Sequence, residues 1–370
     1  MSEREWLRAL LAAVEDPTRA AALPPDPVLL TVARHHRLSP LLSITCGKTL
    51  PAPVAEAFRR DRIVTAARNL ILGQVAEECL RALTAARIPT IVLKGLAYET
   101  QLYDAPGARP TADVDLLVPD EARRAAFAVL DRLGFEPRAA AAGFDDPDYH
   151  EVGWTRAGAE VDLHLALAPL ARCRIDYREV WAEASPFRLG GTDARVLARP
   201  HAAVFQALHM AIDHFDVPAI YLVDLARLLP DEDAYDAAER LARRWRCRQP
   251  LETASALASA FLPHWPHPPP RSSGPGAMRA RVVAHYGTSN RLPRSEQLMR
   301  KLAHFDGLTD AVRYVLTQSR RSLREQIERR IRRRSARERL NLVARESNVA
   351  GKPGTVDGAS DNLEKIRRPK

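Results

Sequence analysis

Arg109-Pro110-Thr111-Ala112-Asp113-Val114-Asp115-Leu116-Leu117-Val118 is the stretch on which the fold turns. Its β-branched and aliphatic residues alternate with carboxylates, the pattern of a half-buried strand. Strand side chains alternate faces, so Asp113 and Asp115 share one face while Val114 and Leu116 share the other, towards a core. Two carboxylates on one face repel each other, and a divalent cation between them removes that cost. Mg²⁺ takes hard oxygen ligands and is held by one or two carboxylates plus substrate phosphates. Asp-x-Asp alone also fits two harmless aspartates on an edge strand, so the neighbouring residues decide its meaning.

Three neighbours point the same way. Glu160-Val161-Asp162-Leu163-His164 is a second candidate strand, with Asp162 and His164 on one face. A third carboxylate from an adjacent strand completes a two-metal site for phosphoryl transfer. His164 beside it is either a phosphate or metal contact or a hydrogen-bonded strand histidine. Lys94-Gly95 ends the short apolar run Pro89-Thr90-Ile91-Val92-Leu93 and opens a helical stretch through Tyr103. Glycine there lets backbone N–H groups approach a phosphate at a helix N-terminus. Arg109, four residues before Asp113, is placed to reach phosphate oxygens bidentately.

Outward from this centre, the chain changes character twice. Residues 3–88 carry helical spacing, as in Trp6, Leu7, Leu10, Leu11 and Val14, and later Ile63, Leu70, Ile71, Val75 and Cys79. Residues 89–198 are mixed. A helix over 120–133 ends at Gly134 in a C-cap position, strands are expected near 149–155 and 159–166, and Gly190-Gly191 joins Phe187–Leu189 to Arg195–Leu197 in a hairpin. Residues 199–345 return to helix, interrupted by the Pro/Ser/Gly-rich 263–276. Residues 346–370 lack apolar periodicity and are predicted to be disordered. The expected fold is α+β: a helical region 1–88, a small mixed-sheet core 89–198, a helical domain 199–345 with a basic last helix, and a tail.

The set Leu93-Lys94-Gly95, Leu102-Tyr103, Arg109 to Val118, Leu133-Gly134-Phe135 and Val161-Asp162-Leu163-His164 resembles the uncharacterised nucleotidyltransferase family, a branch of the DNA polymerase β-like nucleotidyltransferase superfamily. The motifs span roughly residues 88–166, and the family's domain would extend to the helices near 230. The resemblance implies a small mixed sheet flanked by helices, holding Mg²⁺ (or Mn²⁺) and a nucleoside triphosphate. Gly95 would match the superfamily's Gly-Gly/Ser signature, Asp113 and Asp115 its paired carboxylates, and Asp162 its third, facing the nucleophile. Lys94-Gly95 departs from the usual Gly-Ser or Gly-Gly, and the gap from Gly95 to Asp113 is long. Phosphate contacts by Lys94, Gly95, Arg109 and His164 are therefore expected on weaker grounds than metal binding by the three aspartates.

The remaining features bound the function. The net charge of +9 is concentrated in residues 320–345, with eleven arginines against three glutamates. An anionic partner such as RNA, an acidic peptide or a membrane surface belongs there if anywhere, although the apolar stripe Leu323, Ile327, Ile331 is thin and no aromatic residue is interleaved for base stacking. Cys46, Cys79, Cys173 and Cys247 have no zinc spacing and are expected to be reduced buried thiols, as in the cytoplasm. No window approaches the roughly 18 apolar residues of a membrane span, and the charged Met1–Glu5 has no signal core. His201, His209 and His214 lie with Asp213 and Asp224 in the next helical pair, with His209 and Asp213 four apart on one face, and form either a metal or acceptor site or a polar seam between helices; His35-His36 is expected at the surface. No P-loop, nucleophile elbow or His-Glu-x-x-His helix occurs.

The expected activity is transfer of a nucleoside monophosphate from a nucleoside triphosphate to a hydroxyl or phosphate acceptor. Kinase-like phosphoryl transfer at the same site, or a non-catalytic nucleotide-binding scaffold with a basic interaction helix, are the alternatives.

Overall fold

Helices open the chain because apolar residues recur there on one side. A computed structural model describes residues 1–138, 150–169, 172–267, 276–287, 305–307, 309–316 and 319. The proposed basic helix 320–345 and the tail 346–370 lie outside the described residues. Met1–Thr317 forms one compact unit.

The order begins with α1 (Glu3–Glu15), α2 (Pro27–His35), α3 (Ser39–Thr45) and α4 (Ala52–Ala85). Ser2 and Glu5 close a capping box on α1, which satisfies two of its orphan N–H groups. The mixed region follows as β1 (Ile91–Val92), α5 (Lys94–Leu102), β2 (Val114–Leu117), α6 (Arg123–Arg132), β3 (Glu136–Pro137), β4 (Glu151–Arg156), β5 (Ala159–His164), α7 (Tyr177–Glu183), β6 (Ser185–Leu189) and β7 (Thr192–Val196). Helices resume with α8 (Arg199–Ile212), α9 (Ile220–Leu228), α10 (Glu232–Arg244), α11 (Arg248–Phe261) and α12 (Gly276–His285).

The strands form one mixed sheet in the order β3-β4-β5-β2-β1-β7-β6. β2 runs parallel to β5 and antiparallel to β1, and β1 runs parallel to β7. Gly190 carries φ +57° in the β6–β7 turn, where Leu189 pairs with Thr192. The second strand of that hairpin therefore starts three residues earlier than its apolar end at Arg195–Leu197 suggests.

One sheet face, with Val114, Leu116, Val161, Leu163 and Trp154, packs on α4 and α6. A second core joins the N-terminal helices to α8, α9 and α11. α4 serves both cores. At 34 residues it is about 51 Å long, and it overhangs the space between them. Val54 and Phe58 anchor one end and Leu72, Ala76 and Cys79 the other. Ile63, Leu70 and Ile71 between them stay 54–66% exposed, so the helical periodicity there overstates the core. All four cysteines are free thiols, and Cys173 is only half-buried, unlike the other three. Among the described residues, no helix is long and apolar enough to cross a membrane.

Candidate active site

The β2–β5 register decides the site. Val114 pairs with Val161 and Asp115 with Asp162, so two carboxylates stand abreast on the face away from the α4/α6 core. Asp113 lies just before β2 on the same side. Carboxylate oxygens of Asp113, Asp115 and Asp162 all lie within 4.8 Å of one another.

Asp115 is the deepest of the three, at 2% exposure. One of its oxygens, Oδ1, receives Lys94 Nζ at 2.9 Å and His164 Nε2 at 3.0 Å. Burial alone raises a carboxyl, but the Lys94 charge and the His164 hydrogen bond overcome it and hold Asp115 below the usual carboxylate range. The other oxygen, Oδ2, is buried and makes no hydrogen bond, and neither does Oδ1 of Asp162. Arg138 approaches that Asp162 oxygen only to 3.5 Å. Buried carboxylate oxygens without donors call for a cation. Burial, and then the charges of Asp115 and Asp113, push Asp162 up to about 6. Asp113 is raised by burial and then by Asp115. Hard oxygen donors, unsatisfied and mutually repelling, fit a divalent cation such as Mg²⁺.

Lys94 and Gly95 sit at the β1–α5 junction, tied to β2 because Leu93 N–H donates to the Asp115 carbonyl at 3.0 Å. Gly95 has φ +33°, and a Cβ there would meet Thr111 Cγ2 at 3.0 Å and Asp115 Oδ2 at 3.7 Å. Glycine is thus required both by the backbone and by the close approach to the carboxylates. His164 is held by Asp115 through Nε2, and Glu151 Oε2 lies 3.5 Å from its Nδ1 without a hydrogen bond. Burial disfavours its charge, but the Asp115 hydrogen bond and the Glu151 charge outweigh that and raise its pKa.

Arg109 is turned elsewhere. Its Nε donates to both Asp224 oxygens at 3.1 Å and its Nη2 to Oδ2 at 2.9 Å, and Tyr103 OH donates to the same carboxylate at 2.7 Å. Both partners are buried, at 3% and 0% side-chain exposure. The guanidinium expected on phosphate instead joins the Asp113 loop to α9, across 115 residues of sequence. Asn69 of α4 grips the same loop: its Nδ2 donates to the Arg109 carbonyl at 2.8 Å and its Oδ1 accepts from Thr111 N–H at 3.2 Å.

The carboxylates open into a cleft of about 230 Å³ whose wall includes Lys94, Asp113, Glu151, Asp162, His164, Phe205, His209, Asp213, Tyr221 and Arg37. His209 and Asp213, left open between site and seam, thus face the carboxylates across it. Burial, then the nearby Lys94 charge, holds His209 neutral. His201, by contrast, lies apart from this cleft.

Arg37 is the residue that sequence reasoning missed. It enters from the end of α2 with φ +57°, a left-handed conformation, and makes no ion pair among the described residues. Its neighbour His36 is 5% exposed, which corrects the surface expectation for that residue. His36 Nδ1 accepts from Ala219 N–H, and its carbonyl accepts from Ile220 N–H, each at 3.2 Å. That pairing across 183 residues docks α2 on α9 and aims Arg37 inward; no local signal marks it.

Residues 26–263, more than half of the chain, match the model of the family described as uncharacterised nucleotidyltransferase. The chain belongs to that family. As a member it is a nucleotidyltransferase. No curated protein matches it significantly. Among solved structures, the nucleotidyltransferase is similar to the antibiotic-resistance factor ANT(2'')-Ia in solution, at 14% identity over 48% of this chain and 94% of that one, TM-score 0.36. It is similar to crystalline ANT(2'')-Ia in complex with adenylyl-2''-tobramycin, at 15% identity over 46% and 97%, TM-score 0.35. An antigenic nucleotidyltransferase-like protein from Paracoccidioides brasiliensis gives 15% identity over 50% and 90%, TM-score 0.30.

Proposed function

We propose that the protein moves a nucleoside monophosphate from a nucleoside triphosphate to a hydroxyl or phosphate acceptor, with Mg²⁺ held by Asp113, Asp115 and Asp162. The observation that carries this reading is the in-register pair Asp115–Asp162, joined by Asp113, with two buried carboxylate oxygens lacking donors. A divalent cation at such a site screens phosphate charge and stabilises the attacking and leaving oxygens of an in-line displacement.

The chain's own residues do the rest. Arg37 and Lys94 supply positive charge on the cleft wall for the triphosphate. Gly95, with no side chain, keeps the β1–α5 backbone close enough to the carboxylates for a phosphate to lie between. Asp162 is more accessible than Asp115, at 14% against 1% side-chain exposure, and faces the open side where an acceptor hydroxyl would give up its proton. His164, buttressed by Glu151, keeps Asp115 ionised and oriented.

The test is thermal stability with each of ATP, GTP, CTP and UTP, with and without Mg²⁺, on wild type and Asp113→Asn/Asp115→Asn. A nucleotide at 100 times its dissociation constant adds about 2.7 kcal/mol. The expected result is a Mg²⁺-dependent shift that the double variant loses. Product analysis follows: pyrophosphate release and a nucleotidylated acceptor support the proposal, whereas release of a nucleoside diphosphate means phosphoryl transfer. Full transfer activity in Asp162→Asn removes the proton-accepting role from that residue.

A further inference from the structure

A second group of metal-ligating side chains lies outside the cleft, where α7 meets α8. Asp176 caps α7 by accepting from the N–H groups of Arg178 and Glu179. Glu179 and Glu183, four residues apart, consequently project from one side of that helix. His201 comes from the first turn of α8. One ligand atom from each of the three lies within 4.8 Å of the others.

Two acidic residues near a histidine form no site by themselves; the state of His201 is the independent observation. It is 1% exposed, yet neither ring nitrogen has a hydrogen-bond partner. A buried imidazole normally satisfies both. Its Nδ1 points at Glu183 Oε2 from 3.8 Å, too far for a hydrogen bond. Trp245 packs along the ring at 5.2 Å between centroids and fixes its plane. Burial favours the neutral imidazole, the form that donates a lone pair to a metal.

We infer that Glu179, Glu183 and His201 bind a divalent transition metal of the zinc type and so clamp α7 to α8. Zinc takes imidazole nitrogen at about 2.0–2.1 Å and carboxylate oxygen at about 2.0–2.2 Å in a tetrahedron, whose fourth position a water would fill. Glu183, with 55% of its side chain exposed, is free to rotate and close the remaining gap. Glu179 shares one oxygen with Arg244, an ion pair that leaves its second oxygen for the metal. An imidazole in the donor set favours zinc over Mg²⁺, which prefers all-oxygen ligands. The consequence reaches the cleft, because α8 also carries Phe205 and His209.

The experiment titrates zinc sulfate into metal-stripped full-length protein by calorimetry and follows the melting temperature, with Mg²⁺ in excess to fill the aspartate site. Wild type is expected to take up a single zinc and melt higher. Glu183→Gln, a change at an exposed side chain that leaves the core intact, should weaken that zinc at least tenfold, and His201→Gln should do the same. Asp113→Asn/Asp115→Asn should bind it unchanged. X-ray absorption at the zinc edge should show one imidazole among oxygen ligands, a readout that stands even if His201→Gln fails to fold. Absence of zinc uptake by wild type overturns the inference. So does uptake indifferent to Glu183→Gln, or uptake lost in the aspartate variant.

Discussion

Replacing Asp224 by asparagine tests whether Arg109 is a structural tie or a substrate contact. The change keeps the side-chain shape but leaves the Arg109 guanidinium charged in a space where it is 3% exposed. Burial works against that charge, and in the wild type Asp224 outweighs it and holds Arg109 above its ordinary range. The variant keeps the burial without the compensating carboxylate, and a guanidinium does not lose its proton in proteins. Three N–H···O contacts at 2.9–3.1 Å and the Tyr103 hydrogen bond at 2.7 Å are weakened together. Removing one partner of a buried pair costs about 3–5 kcal/mol. Unfolding entropy of about 2.1 cal/mol/K per residue, over the unit Met1–Thr317, converts this to a fall in melting temperature of about 4–8 °C. Urea titration gives the free energy directly. Arg109→Met/Asp224→Leu/Tyr103→Phe, which replaces the whole network by apolar groups, should recover most of the loss, since well-packed hydrophobic replacements of buried pairs are often neutral or better. It should also keep the nucleotide-dependent shift, because Arg109 is not part of the cleft wall. A loss under about 1 kcal/mol in Asp224→Asn would refute the buried tie, and a folded triple variant blind to every nucleotide would return Arg109 to the phosphates.

Other perturbations probe the rest of the frame. Gly95→Ala forces a side chain onto φ +33° and against Thr111 at 3.0 Å, so it should cost roughly 1–3 kcal/mol in urea unfolding and weaken nucleotide binding. Lys94→Met strips Asp115 of its buried ion-pair partner and should destabilise the metal-free protein by about 3–5 kcal/mol; millimolar Mg²⁺ should restore part of the melting temperature, and no restoration counts against the metal site. His36 is pushed down to about 3, by burial first and then by His35. A folded pKa below the unfolded one means its contribution is complete above the unfolded value of about 6.5. It is then lost at up to about 1.4 kcal/mol per pH unit as pH falls from there towards 3. His36→Asn, whose amide oxygen can accept from Ala219 in place of Nδ1, should flatten that part of the acid-denaturation curve; an unchanged curve shows that His36 is not among the groups that set it.

What the chain discloses by itself is a matter of period. The two-residue repeat of Asp113-Val114-Asp115-Leu116 and of Val161-Asp162-Leu163-His164 assigns carboxylates and apolar residues to opposite faces, and the structure puts Val114, Leu116, Val161 and Leu163 in the core as that repeat requires. Period assigns a face but not a partner. Nothing in Arg109 distinguishes a guanidinium bound for phosphate from one bound for Asp224, because the competition is settled by which carboxylate is desolvated beside it after folding. The same holds for His36, whose Nδ1 takes an N–H delivered by Ala219, and for Asn69, which looks like one more polar residue on a long helix until its amide meets both sides of the 109–111 loop.

The deeper link is that these unread contacts all converge on the aspartates. Asn69 and Asp224 hold the loop that ends at Asp113, and Leu93 and Gly95 lean on the strand that carries Asp115. His36 turns Arg37 into the cleft. Lys94 offsets part of the repulsion among three carboxylates crowded within 4.8 Å, and the free protein has to store the rest in a frame stiff enough to resist it. Long-range ties from α4, α9 and the end of α2 supply that stiffness. They are drawn from both flanking helical regions, which is why neither the sheet nor its Asp-x-Asp strand, taken alone, would keep the site in place.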